Sequence, residues 1–314
     1  MTGGPPPAEP RLGIVVVSYG SAHLLEANLA SIDRADLPPT TVVVVDNRTT
    51  DGERTKAAAL GAQHGWDLVA PATNLGFGAG MNRGIDQAAA AGCDTFLLLN
   101  PDVSIDAVAI STLLRAAVEH PAAILCPRLD WPDGSTWFAG GQLDRRSGLT
   151  RSRPDHRQEG SERWLTGACL LIDRTTWEQV GGFDERYFLY WEDVDLTQRA
   201  LRLGVGLRVV HDAVAVHHVG ATQREEGEGK SPTYCRFMCR NRLLFATDHV
   251  DRRGRLRWIW HAPRYAVRVL LRHGRRAALR RPGLAMAALR GTVEGSVLVL
   301  RSLAGDGLGR RRGG

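Results

Sequence analysis

LGIVVVS, residues Leu12–Ser18, is an apolar, β-branched run without alternation, the pattern of a strand buried on both faces of a parallel sheet. It passes through Tyr19-Gly20 into a segment in which Leu24, Leu25, Leu29 and Ile32 form one helical stripe. TVVVVD, Thr41–Asp46, is a second strand of the same kind. A strand, a helix and a strand of these lengths make a βαβ unit and predict an α/β fold. Ligands of such sheets collect beyond the carboxyl ends of the strands, where Tyr19 and Asp46 fall.

The first turn, Ser18–Ser21, lacks the Gly-x-Gly-x-x-Gly of a dinucleotide enzyme. A Gly-rich stretch comes later, NLGFGAGMNRG at Asn74–Gly84, and Arg83 stands where that pattern needs its last glycine. It reads either as a flexible turn or as a loop whose N–H groups approach a diphosphate, with Asn82 and Arg83 at the start of a helix that stops near Gly92. TFLLLN, Thr95–Asn100, is a third buried strand followed by Pro101-Asp102. Asp102, with Asn100 two residues before it, suits a divalent cation held by oxygen ligands, or caps the helix that begins near Ile105. Ala122–Cys126 is a short strand, and Asp130–Arg163 is loop-rich, its Trp131 and Trp137, with Trp164 just beyond, offering an acceptor surface or a satellite core. In Thr166–Ile172, Gly167 and Ala168 allow a substrate close backbone approach.

GGFDERYFLYWEDVDL, Gly181–Leu196, sets Glu192, Asp193 and Asp195 directly behind Tyr187, Phe188, Tyr190 and Trp191. Carboxylates against apolar rings lose water, which raises their proton affinity and prepares one as a base. The ring faces also suit the C–H side of a sugar. The plain alternative is a helix N-terminus with acids against the macrodipole and aromatics in the core. Leu207–Val219 carries two β-like runs ending in His217-His218, ligands or satisfied surface residues, before a mobile-looking 220–232. Thr233–His249 is a helix whose Arg240 and Arg242 bind anions or rim the core.

The charge is unevenly spread. From Asp251 onward there are 16 arginines and three acids, a net +13, so the +6 of the chain leaves −7 for the first 250 residues. Trp258, Ile259 and Trp260 open this tail, and Arg264, Arg268, Arg272 and Arg275 recur at helical spacing with Val267, Leu270 and Leu271 offset from them. That pattern predicts a basic amphipathic helical extension on an anionic membrane surface, with a helical pair packed on the rest of the chain as the alternative. Pro263 and Pro282 divide it into pieces read as too short to span a bilayer. The Pro/Gly-rich 1–10 reads as a disordered start and not a signal peptide. Five scattered cysteines, Cys93, Cys126, Cys169, Cys235 and Cys239, read as reduced cytosolic thiols. No nucleic-acid reading motif accompanies the arginines, so nucleic acid is not an expected partner. Nothing in the sequence specifies an oligomeric state.

VVVSYG, VVVVDN, NLGFGAGMNRG and FLLLNPDV, followed by FLYWEDVDL and HHVG, form an ordered set that resembles the family-2 inverting glycosyltransferases, rhamnosyltransferase-like members of cell-surface polysaccharide synthesis above all. The resemblance covers about residues 11–245 and implies the GT-A nucleotide-diphospho-sugar fold, a Rossmann-like, mostly parallel sheet flanked by helices. It implies a catalytic domain over 11–250, with 251–314 a membrane-associating tail. It implies a nucleotide-diphospho-sugar donor, with Tyr19 and Asp46 on base and ribose and Asn74, Gly76, Asn82, Arg83 and Asn100 toward the sugar diphosphate. Asn100-Pro101-Asp102 matches the metal motif, usually Asp-x-Asp, so Asp102 becomes a ligand of Mg²⁺ or Mn²⁺ with one carboxylate fewer than usual. Asp193 matches the general base, and His218, with His217 the near alternative, a ligand of the metal or diphosphate. Gly167, Trp191 and Glu192 fall on the side of a glycan or lipid-linked acceptor. A cytoplasmic protein, peripheral on the inner face of the membrane, is the corresponding expectation. The rivals are a sugar nucleotidyltransferase or dinucleotide enzyme on a similar sheet, and a non-catalytic nucleotide-sugar-binding protein.

Overall fold

The computed structural model describes residues 10–152, 161–218, 231–272 and 281–311. The disordered start expected at 1–10, nearly all of the mobile segment expected at 220–232, and Arg275 lie outside them, Pro10, Ser231 and Pro232 excepted. β1 (Leu12–Ser18) leads into α1 (Ala22–Leu24), which continues as a π-helical turn, Leu25–Leu29, and then come β2 (Thr40–Asp46), α2 (Asp51–His64) and β3 (Asp67–Val69). α3 (Phe77–Ala90), β4 (Thr95–Leu99), β5 (Val103–Ile105), α4 (Ala107–Glu119) and β6 (Ala123–Asp130) follow. The span read as loop-rich instead holds β7 (Thr136–Phe138), β8 (Gly141–Asp144), β9 (Leu149–Arg151) and β10 (Ser161–Trp164). These strands are three or four residues each, too short for a periodicity to register. β11 (Cys169–Asp173), α5 (Arg174–Val180), α6 (Glu192–Arg202) and β12 (Gly206–His217) complete the sheet, β12 being one bulged strand where two runs were expected.

The main sheet has the order β3-β2-β1-β4-β11-β6-β12-β5, with β7 on β6. β3, β2, β1 and β4 are mutually parallel, β12 is parallel to β6, and β11 enters antiparallel between β4 and β6. β8, β9 and β10 form a separate antiparallel sheet. The register sets Ser18 opposite Asp46 and Val16 opposite Leu99, so the carboxyl ends of three parallel strands finish in one row. α3 lies on this half of the sheet at very short range. A Cβ at Gly84 would stand 2.3 Å from Val15 Cγ1 and 2.9 Å from Val45 Cγ2. Part of the Gly-rich stretch therefore serves helix-on-sheet packing rather than a phosphate.

The tail is not a separate extension. α7 (Pro232–His249), α8 (Arg252–Trp260), α9 (Ala262–Leu271) and α10 (Pro282–Arg311) form a helical layer with its own core, which includes Tyr187, Trp191 and Val194 from around the acidic motif. Arg242 is buried in it, its guanidinium 4.7 Å from the ring centres of both Trp258 and Tyr265 and donating to the carbonyls of Ser147, Gly148 and Trp258. Burial pushes its pKa down to about 10. Trp258, expected at a membrane interface, is wholly buried and donates to the Arg145 carbonyl, whereas Trp260 is 76% exposed. Pro282–Gly305, within α10, is also long and apolar enough to cross a membrane by length and composition, contrary to the expectation, and 28% of its apolar window is buried. Its scattered Arg290, Glu294 and Arg301 break the uninterrupted run that a reading by eye looks for. All five cysteines are buried, and none is in a disulfide.

Gly84→Ala should lower stability by about 2 kcal/mol, since the added methyl drives α3 off two packed valines. Urea unfolding followed by circular dichroism measures it, and an unchanged midpoint would show that α3 can shift at no cost.

Candidate active site

Asp193 lies in the first turn of α6, half-buried. Its Oδ2 accepts from the Gly167 N–H at 3.0 Å and its Oδ1 from the Val194 N–H at 2.8 Å. Burial pushes its pKa up to about 6, against the opposing pull of those N–H donors. Glu192, expected to face an acceptor, is instead buried with Oε2 lacking a hydrogen-bond partner among the described residues. Burial first, and the neighbouring Asp193 second, hold its carboxyl well above the usual range, which favours the neutral form. Asp195 is tied on both oxygens, Oδ1 to His249 Nε2 at 2.7 Å and Oδ2 to Arg199 Nε at 2.8 Å. Arg199 also donates to the carbonyls of Val180 and Gly182. Of three adjacent carboxyl groups, one is structural, one is buried and favoured neutral, and Asp193 is left with basicity near neutrality.

The rings of the aromatic run pack against the helical layer. Tyr187 and Trp191 are buried, Trp191 against Phe245 and Trp258, while Phe188 stacks on Phe237 and Tyr190 meets the edge of Tyr234. Trp191, expected on the acceptor side, has its ring packed in the core of the helical layer. Tyr190 and Trp191 are both left-handed, with φ of 68° and 75°. Two successive non-glycine residues there cost on the order of 1–3 kcal/mol each, and such strain clusters at functional turns.

The carboxylate motif reaches the strand ends through one chain of bonds. Asn100 N donates to Ala168 O at 2.9 Å in the antiparallel β4–β11 pairing, and the next residue back, Gly167, holds Asp193. Gly167 is thus a support of the carboxylate. Asn100 Oδ1 is buried without a hydrogen-bond partner among the described residues. Asp102 is buried, and Asn28 steadies the turn by donating to Pro101 O at 2.8 Å. Pairing of β12 with β5 brings the histidines to it: the His218 N–H donates to the Asp102 carbonyl. The side chain that meets the Asp102 carboxylate is His217, Nε2 to Oδ1 at 3.2 Å, with Trp137 edge-on to its ring. His218, the first choice from sequence, instead pairs Nε2 with Ser104 Oγ at 3.2 Å. Alternation along β12 sends the two rings to opposite faces. No group of three or more His, Cys, Asp or Glu able to hold a metal occurs among the described residues. A carboxylate, an imidazole and a buried unpartnered amide oxygen are nonetheless donors of the kind a divalent cation takes.

Around the strand ends, Tyr19 stands 54% exposed past β1, while Asp46 is buried with Oδ2 bound by Arg54 Nε at 2.6 Å. Asn47, which the sequence reading missed, bridges β2 to the Gly-rich loop by accepting from Leu75 N and donating to Gly76 O. Asn74 Oδ1 accepts from Gly76 N. At Gly76, φ is +85° and a Cβ would fall 2.2 Å from the Phe188 carbonyl oxygen, which accepts from Phe77 N, so this glycine lets the loop meet the aromatic run. Asn82, expected near the sugar diphosphate, ties its amide to Phe183, accepting from its N and donating to its O, both at 2.9 Å. Arg83 is exposed. Arg240, read as an anion binder or rim residue, donates to Arg186 O and to Asn241 Oδ1.

The family model described as glycosyltransferase-like family 2 matches residues 10–243. N-acetylglucosaminyl-diphospho-decaprenol L-rhamnosyltransferase of Mycobacterium tuberculosis is 38% identical over 234 residues, 66% of this chain and 76% of that protein. The low-salt glycan biosynthesis hexosyltransferase Agl10 of Haloferax volcanii is 25% identical over 74% of each chain. Among solved structures, the mannosyltransferase PcManGT from Pyrobaculum calidifontis, in complex with GDP-Man and Mn²⁺, superposes with a TM-score of 0.53 over 96% of this chain and 88% of that one, at 18% identity. GalNAc-T7 with UDP, GalNAc and Mn²⁺ gives 0.54 over 74% of this chain and 48% of that one, at 14% identity. The solved structures share the fold of this mostly parallel sheet flanked by helices, and the chain belongs to the family-2 glycosyltransferases of GT-A fold.

Proposed function

We propose that the protein transfers a deoxyhexose, L-rhamnose, from its nucleoside-diphosphate donor to a hydroxyl of a lipid-linked glycan, with Asp193 as the base. The carrying observation is the Asp193 carboxylate, held by the Gly167 N–H and linked through β11 to the Asn100–Asp102 turn. The likeness to the mycobacterial rhamnosyltransferase supports the donor sugar and the lipid-linked acceptor. An alcohol is a poor nucleophile at neutral pH, and a carboxylate within hydrogen-bond reach takes its proton as the new bond forms. Attack opposite the departing diphosphate inverts the anomeric carbon. Tyr19, Asp46 and Asn74 line the nucleotide side of the strand ends, and Arg83 offers a cation to the diphosphate. Asp102, His217 and Asn100 would hold Mg²⁺ or Mn²⁺, which when bound offsets charge on the leaving group.

The helical layer supports a place on the inner face of the cytoplasmic membrane. Leu256, Trp260, Val267 and Leu271 are exposed along α8 and α9, with the exposed arginines 257, 268 and 272 each one residue beyond an apolar neighbour and Arg264 close by. Met286, Leu289, Val293, Val297 and Leu300 make an exposed stripe on α10. Each arginine near an anionic leaflet contributes about 1 kcal/mol, and the apolar side chains add to it.

Asp193→Asn should reduce turnover by ~100-fold or more with little change in donor binding. In the unaltered protein kcat/KM should rise about tenfold per pH unit below about 6 and level off above it, because the base works only when deprotonated. Near-normal turnover by the variant would remove Asp193 from the role. Asp102→Ala should weaken nucleoside-diphosphate binding in Mn²⁺ far more than in EDTA, as read by calorimetry, and full activity of the unaltered protein after chelation would dismiss the metal. Vesicles containing anionic lipid should float the full chain and release it in high salt. Joint replacement of Arg257, Arg264 and Arg268 by Glu should abolish flotation, and equal flotation of the two proteins would defeat the membrane assignment.

A further inference from the structure

α7 grips the catalytic turn on both sides of Asp193. Asn241, fully buried, donates from Nδ2 to Leu189 O at 2.9 Å and to Tyr190 O at 2.8 Å, while its Oδ1 accepts from Arg240. Arg240 can only donate, so that contact orients the amide and leaves its N–H groups for the two carbonyls. These carbonyls belong to Leu189 and to Tyr190, the first of the left-handed pair Tyr190–Trp191, and α6 begins at the residue after that pair. Two turns further along α7, His249 Nε2 meets Asp195 Oδ1. Asp193 sits between these two grips. Its own side chain is held by Gly167 on one oxygen, but the direction from which the backbone delivers it is set by the turn.

We infer that Asn241 is a positioning residue for glycosyl transfer: by holding the Leu189 and Tyr190 carbonyls it keeps the left-handed turn that aims the Asp193 carboxylate. This rests on the reading of Asp193 as the base. A left-handed turn of two bulky residues persists only where its surroundings over-determine it, and a bifurcated amide from a packed helix is such a determinant. Small errors in the placement of a reacting group are costly, with about 1 Å enough for a ~100-fold loss. Asn241 touches no substrate in this account and acts through the backbone. It is one of several polar residues in CRNRLL, and nothing local marks it out, since its acceptors lie 51 and 52 residues earlier.

The test uses the full chain with Asn241→Asp, which keeps the shape but turns an oxygen toward two carbonyl oxygens, and Asn241→Ser, which keeps one donor. Leu244→Ala, a buried residue of the same helix, reports general loss of packing. Transfer is followed from a panel of sugar nucleotides headed by thymidine-diphospho-L-rhamnose to polyprenyl-diphospho-N-acetylglucosamine, with Asp193→Asn alongside, well below every melting midpoint. Both Asn241 variants should bind thymidine diphosphate within ~3-fold of the unaltered protein and lose kcat by roughly 30-fold or more at unchanged KM, Ser less than Asp. Leu244→Ala should lower the midpoint and keep kcat. Loss of kcat no greater than that of Leu244→Ala, or failure of both Asn241 variants to fold, overturns the inference. Retained kcat in the Asn241 variants with loss in Asp193→Asn removes Asn241 alone. Turnover retained by Asp193→Asn removes the base reading itself, and inactivity of the unaltered protein on the whole panel removes the proposed function and this inference together.

Discussion

The hydrogen bond from the Gly167 N–H to Asp193 Oδ2 joins the two halves of the molecule. On one side of it, β11 runs antiparallel to β4 and carries the bond from Asn100 that ties it to the strand ends. On the other, α6 hangs from a left-handed turn that belongs to the helical layer. A backbone donor is well suited to this place, since it brings no competing side chain and its direction follows from the strand. A Cβ at Gly167 would lie 3.3 Å from Asp193 Cβ and 3.4 Å from the Phe77 ring, so a side chain there would press on the carboxylate's own stem.

Burying three carboxyl groups within four residues is unfavourable, and the structure disperses the charge in three ways. Asp195 receives a full complement of donors from Arg199 and His249. Glu192 is held toward its neutral form by burial and by the neighbouring Asp193. Asp193 then faces one fewer full negative charge, and two backbone donors limit how far burial raises it. The same residues carry the fold: Arg199 closes on the Val180 and Gly182 carbonyls, and His249 stacks flat on Phe245. One cluster therefore both holds the fold and sets the proton affinity of Asp193, and the helical layer shapes the acidic motif as much as the sheet does.

Much of the parallel half-sheet was legible in sequence because its strands are long, unalternating and β-branched. LGIVVVS, TVVVVD and TFLLLN stand out against any background. Asp193 and Asp102 stood out because they follow the ordered motifs of a family. The contacts of other residues singled out with them were not legible. Asn82 and Gly76 sit in a stretch whose composition suits a phosphate loop, yet the structure uses Asn82 to bind Phe183 and Gly76 to admit the Phe188 carbonyl. Trp191 looked like a sugar platform from its position beside the acids, and the ring turns instead into the core of the helical layer.

By itself the sequence determined the long parallel strands, the helix periods and the place of the acidic motif, since these follow from local propensity and from spacing along one chain. Only the tertiary structure decided which of two adjacent histidines meets Asp102, because alternation is visible in sequence but the face that becomes interior is not. It also decided that the arginine-rich tail shares a core with the turn before the acidic motif, and that Asn241 holds two carbonyls some fifty residues away. Such contacts are made between elements that only the packing of buried surface brings together, and no period or motif within either element encodes its partner.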